Sequence, residues 1–436
     1  MRGRRLFLLL YTASGAAALV YEIAWTRLLT LLMGQTVAAA STCLAAIMGG
    51  LALGSWIGGR AQDRWSGPDR QVRALSLYAS LEVGVAIAAL ALPVLLSAAT
   101  PALAWAYADG QATVRFGVMR AALALLLVGL PATAMGATFP IAVASYAGSA
   151  ADAGRLYAVN TGGAGLAALT TGFLLIPSIG LRATTWVGVG LNVMAAAGAR
   201  WLATRRPGPV SDEPSRPARA PRARGAAKTQ PRREGPRARA AAAAPRLAAA
   251  AAAASGFCAL VYEVIWTRLA ALIIGPTTYA FSIVVASFIV GLAIGSTIAA
   301  RMVPRIVRPA EWLGAMLAFA AVGASAAGWY AASRLPLVVA GQVAAPDADF
   351  GSIVTRQAIG TVLLLLPMTV ALGAAFPLAL ATASAAGADV GGVSARIFAA
   401  NSLGAIAGSL AGGFLLLPRL GLQTSLRTAA ALGLAA

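Results

Sequence analysis

The chain has 436 residues, of which 59% are hydrophobic and only 11% charged, and its mean hydropathy is +0.78. No soluble fold of that length hides so much apolar surface, so the composition excludes a soluble globular class and points to an all-α integral membrane protein. The formal charge is +20 and there is no histidine, which excludes imidazole metal ligands and histidine proton relays.

The opening Met1 to Arg5 places three arginines ahead of an apolar run that carries Glu22 and Arg27 and continues well beyond a signal-peptide core. That run is a first spanning helix, near 6–33. The stretch from Thr36 to Gly59 is uncharged over 24 residues, which at about 1.5 Å per residue crosses a bilayer core of roughly 30 Å. Further spans are predicted near 74–98, 117–146, 156–177 and 183–202, then near 247–273, 278–300, 311–333, 357–384, 397–418 and from 424 to the end, about a dozen in all. Two of them hold prolines inside apolar sequence, Pro131 with Pro140 and Pro367 with Pro377, and are expected to be kinked or broken. Cys43 and Cys258 fall at unrelated positions inside spans and read as small core residues, not a disulfide.

The second half repeats the first. Ser14 to Leu28 returns as Ser255 to Leu269 at an offset of 241, with 11 identities in 15. At the same offset Gly50, Gly54, Ser55 and Arg60 match Gly291, Gly295, Ser296 and Arg301, and Arg155, Asn160, Pro177 and Gly180 match Arg396, Asn401, Pro418 and Gly421. Residues 1–202 and 247–436 are therefore two copies of one six-helix unit.

Charge orients them, because arginine in short loops favours the cytoplasmic side. Arg2, Arg4 and Arg5, then Arg60, Arg64, Arg70 and Arg73, then Arg301, Arg305 and Arg308 fall inside; loops 99–115 and 334–356, with Asp109, Asp347 and Asp349, fall outside. An even span count makes the copies parallel, with the N-terminus, the segment between them and the C-terminus all cytoplasmic in a bacterial inner membrane. This is the topology of the two halves of a major facilitator transporter. Between the copies, 203–246 carries 12 Lys and Arg against three acids and is rich in Pro and Ala. It reads as a disordered cytoplasmic linker lying against anionic lipid headgroups; no aromatics are interleaved for base stacking, which argues against nucleic acid.

Glycines at four-residue spacing, Gly50, Gly54 and Gly58, then Gly404, Gly408 and Gly412, let helix backbones approach closely. The sharper signal is the repeated Tyr-Glu-x-x-Trp-Thr-Arg block. Glu22 and Glu263 lie within apolar helices, where a carboxylate costs a few kcal/mol unless paired or hydrated. They are expected to face the bundle interior or a hydrated cleft between the copies. Trp25, Arg27, Trp266 and Arg268 are candidates for that polar site; the alternative is an interfacial belt in which Tyr21 and Trp25 mark the outer headgroup level and Arg27 snorkels to it. Glu82 is a third intramembrane acid, without an acidic counterpart in the second copy, and Asn160 and Asn401 read first as interhelical hydrogen bonds. Acids with aromatic neighbours suit an organic cation. No cofactor site is visible.

The paired blocks SGAAALVYEIAWTRLLTLLMG and SGFCALVYEVIWTRLAALIIG, with GLALGSWIGGR, MGATFP and RLYAVNTGGAGLAALTTGFLLIPSIGL, resemble the membrane half of bacterial fused major facilitator and spermidine synthase proteins. That resemblance implies a polyamine aminopropyltransferase-like domain after the membrane part, with this chain anchoring it and moving polyamine or a related product. The chain itself has no Gly-rich nucleoside loop, so no catalytic residue carries over. The last predicted span runs 13 residues to Ala436, and the expectation is that a catalytic domain follows. The alternative is a stand-alone transporter of an organic cation.

Overall fold

The computed structural model describes residues 2–34, 36–65, 69–110, 113–205, 236–275, 277–344, 349–384 and 390–435. Its helices in chain order are α1 (Arg2–Met33), α2 (Val37–Asp63), α3 (Arg70–Tyr107), α4 (Thr113–Ala124), α5 (Leu130–Tyr146), α6 (Ala150–Thr170), α7 (Ile176–Thr204), α8 (Pro236–Ile274), α9 (Thr278–Met302), α10 (Pro309–Val343), α11 (Phe350–Ser384), α12 (Val390–Leu410) and α13 (Leu417–Ala435). Among the described residues there is no strand.

The turns follow from single residues, and the same residues act in both copies. Gly34 and Gly275 adopt φ of 92° and 87°, which a Cβ disfavours, and end α1 and α8. Thr36 and Thr277 then cap α2 and α9, accepting from the Ala39 and Ala280 N–H groups at 3.1 and 3.3 Å.

Ten helical stretches among the described residues are long and apolar enough to cross a membrane. Two of them run 55 and 46 residues, Ala150–Thr204 and Val390–Ala435. The first would reach about 80 Å if straight, more than two bilayer cores. Each is broken at a glycine with non-helical backbone, Gly180 (φ 75°, ψ 172°) and Gly421 (φ 71°, ψ 178°). These one-residue breaks fall where the sequence predicts loops, between 177 and 183 and between 418 and 424. A turn of π-helix precedes each break, Thr171–Leu175 and Ala411–Leu416, and joins α6 to α7 and α12 to α13.

The expected proline breaks occur unevenly. In copy one a π turn, Leu125–Gly129, joins α4 to α5 just before Pro131. In copy two α11 stays helical through both Pro367 and Pro377, its freed carbonyls accommodated without a break. Most of the basic linker, 206–235, lies outside the described residues; of its remainder, α8 already begins at Pro236.

Within each copy the small residues set the crossings. A methyl on Gly54 of α2 would strike the Thr133 carbonyl on α5, and one on Gly295 of α9 the Val370 carbonyl on α11. Between the copies α2 packs on α12 and α6 packs on α9. At the 241 offset these are the same contact exchanged, as a twofold axis requires. The details match: Gly59 faces the Ala395 methyl as Gly154 faces that of Ala300, and Ser282 fills the space beside Gly172 as Ser41 does beside Gly413. Helices α3 and α10 turn Val83, Ile87, Val94, Val322 and Trp329 outward, an apolar surface suited to lipid tails.

Candidate substrate cavity

Glu22 lies near the middle of α1, and its side chain lines a cavity of about 130 Å³ inside copy one. Trp25, Glu82 and Asn160 line it too, as do Tyr11 and Tyr157. Phe398 of α12 is the single copy-two residue in its wall. Four of the nine sequence candidates therefore meet in one place.

The two acids differ in their surroundings. Glu82 on α3 is 2% exposed, and both carboxyl oxygens accept hydrogen bonds: Ser14 Oγ donates to Oε1 at 2.5 Å, and Asn192 Nδ2 donates to Oε2. Tyr21 OH donates to the Asn192 carbonyl oxygen at 2.7 Å, tying α1, α3 and α7 into one network. Glu22 has no hydrogen-bond or ion-pair partner among the described residues. Its carboxyl group is free for a ligand.

Asn192 was not among the sequence candidates, although it is a lone polar side chain in the sixth predicted span. Its counterpart at the 241 offset is Gly433, where an added Cβ would meet the Ala321 methyl at 3.5 Å and Cys258 Sγ at 3.6 Å. Copy two thus closes with small apolar groups the space that copy one fills with a polar network.

Tyr21 and Trp25 do not form an interfacial belt. They are 0% and 2% exposed and stack with ring centroids 5.0 Å apart, because Gly188 on α7 leaves room for the Tyr21 ring. Glu263 is 7% exposed and lines neither the Glu22 cavity nor the second one. Trp266 is likewise buried, its indole N–H without a partner among the described residues. Asn160 and Asn401 are interhelical ties, donating to the Tyr11 and Ala252 carbonyls at 3.1 and 3.0 Å. Arg27 and Arg268 line a second cavity, of about 120 Å³, between the copies.

An aromatic cluster bounds the first cavity at one end. Phe139 and Phe398 have centroids 5.2 Å apart, and Tyr157 and Phe376 stack at 4.1 Å. Each copy contributes two rings at repeat-related positions. Phe139 sits seven residues before the end of α5 and Tyr157 seven after the start of α6. Arg4 pairs with Asp152 at that end, so the cluster is on the side where the chain begins.

The architecture has solved counterparts. A bacterial homologue of the iron transporter ferroportin in an outward-facing state aligns over 100% of this chain and 96% of its own, with a TM-score of 0.59 and 14% identity. A bacterial ferroportin homologue with soaked iron aligns over 99% and 95%, with a TM-score of 0.54 and 13% identity. The likeness is one of fold: this chain shares the all-helical membrane architecture of these two structures. No family model matches the sequence and no curated protein does.

Proposed function

We propose that this chain is a secondary transporter of a small organic cation, which binds in the copy-one cavity against Glu22. The observation that carries the reading is the unpaired Glu22 carboxyl, facing a cavity beside the fully engaged Glu82. An acid at this depth costs a few kcal/mol unless something offsets it, and a cation does so directly. The rings of Trp25, Tyr11 and Tyr157 in the same wall add cation–π attraction.

The cavity is smaller than the roughly 300 Å³ or more of drug-sized pockets, which favours a compact amine. Iron, named for the ferroportin homologue, suits these residues less well: no group of three His, Cys, Asp or Glu is gathered among the described residues. The arginine distribution supports an inner-membrane orientation with the aromatic cluster on the cytoplasmic side. The motif resemblance narrows the cation to a polyamine, with this chain the membrane module of an aminopropyltransferase-like protein; the fold comparison supports the transporter reading without that partner.

Thermal unfolding of the protein in neutral detergent, titrated with putrescine, spermidine and choline, tests the site. At least one amine should stabilise saturably. Glu22→Gln should weaken that stabilisation at least tenfold without lowering the unliganded midpoint. Equal stabilisation of Glu22→Gln by every amine that acts on wild type would remove Glu22 from the site.

A further inference from the structure

We infer that the second cavity is a binding site for a small oxyanion, a carboxylate or phosphate group, held between Arg27 and Arg268. The cavity lies on the boundary between the copies, and its lining pairs up across the 241 offset: Arg27 with Arg268, Thr26 with Thr267, Thr36 with Thr277. It shares no residue with the acidic cavity, so the inference goes beyond the cation reading and stands without it.

Everything charged in this lining is positive. No acid lines the cavity, and neither guanidinium has a hydrogen-bond or ion-pair partner among the described residues. Some other arginines are engaged: Arg4 pairs with Asp152, Arg308 with Glu311, Arg120 donates to the Met33 carbonyl, and Arg205 stacks on Trp201. Arg27 is half-buried and Arg268 exposed, each six residues before the end of its helix, α1 or α8, about 9 Å along it. Two unpaired guanidinium groups on one small cavity repel each other. An oxyanion between them offsets both charges and matches their donor geometry.

The helix starts add to this. α2 and α9 both begin at the cavity, with Thr36, Val37, Thr277 and Thr278 in its wall. Their positive ends face it. The two capping hydroxyls spend a lone pair on the Ala39 and Ala280 N–H groups and keep an O–H to donate. The lining offers guanidinium, hydroxyl and backbone donors and no competing carboxylate.

The test uses the full chain in neutral detergent, with inorganic phosphate as probe at constant ionic strength and mass spectrometry of copurified lipid. Phosphate should raise the unfolding midpoint saturably. Arg27→Gln and Arg268→Gln should each weaken that effect at least tenfold, and the double variant should abolish it. Arg27→Lys, which keeps the charge but not the fork, should fall between. Arg356→Gln, an exposed arginine on α11, should match wild type. An anionic phospholipid retained by wild type and lost from the double variant would place the same phosphate chemistry in the bilayer, and also supports the site. Phosphate stabilisation and lipid retention that are both unchanged in the double variant overturn it, as does their absence from wild type.

Discussion

Ser14 and Asn192 donate to the two oxygens of Glu82, and Tyr21 donates to Asn192. Asn192→Ala would leave the Tyr21 hydroxyl and one Glu82 oxygen buried without partners, at a cost of about 1–3 kcal/mol each. Thermal or denaturant unfolding in detergent should show a loss of that size. Gly433→Ala at the matching place in copy two adds a methyl at ordinary contact distance and should change stability by less than about 1 kcal/mol. The polar candidates Glu82 and Asn160 were legible because a polar group in an apolar run stands out. Asn192 carried the same signal and was missed because its role depends on a partner 110 residues away. Tyr21 and Trp25 looked interfacial for a related reason: composition along α1 does not say that Gly188 of α7 opens space for the ring.

Helix crossings in this protein are set where a glycine meets a backbone carbonyl. A Cβ on Gly163 would strike the Thr12 carbonyl, and one on Gly404 the Ala253 carbonyl, the same α1–α6 crossing repeated as α8–α12. Nothing lies within 4 Å of a Cβ on the neighbouring Gly162. Gly163→Val and Gly404→Val should therefore abolish a monodisperse peak in size-exclusion chromatography, whereas Gly162→Ala should run as wild type. Span existence and the small-residue stripes were readable from apolar length and spacing. The ends were not. Proline chemistry alone does not tell the π turn before Pro131 from the unbroken α11, since both depend on how neighbours satisfy the freed carbonyls. The repeated Pro177 to Gly180 and Pro418 to Gly421 segments were visible as a repeat, but not as one-residue breaks in otherwise continuous helices.

Across the whole molecule, the exchanged contacts α2–α12 and α6–α9 join two like units that have diverged in chemistry. Copy one keeps the Glu82–Asn192 network and the cavity; copy two supplies Phe398 and Phe376, half of the aromatic cluster. If the cluster is the closed gate, Phe376→Ala with Phe398→Ala should speed labelling of a cysteine placed at Ser14 by an impermeant maleimide about tenfold, from the side where the chain begins. Cys43 and Cys258 are buried and contribute little background. The repeat made this symmetry legible in sequence, while the functional asymmetry rests on side chains, Glu82 and Asn192, that the repeat does not share. The most direct measurement of the central claim is uptake of a labelled amine that stabilises the protein, into proteoliposomes loaded with the unlabelled amine. Saturable accumulation by wild type and at least a tenfold loss in folded Glu22→Gln is the predicted result. Accumulation no greater than in empty liposomes, or equal rates for wild type and Glu22→Gln, would contradict it.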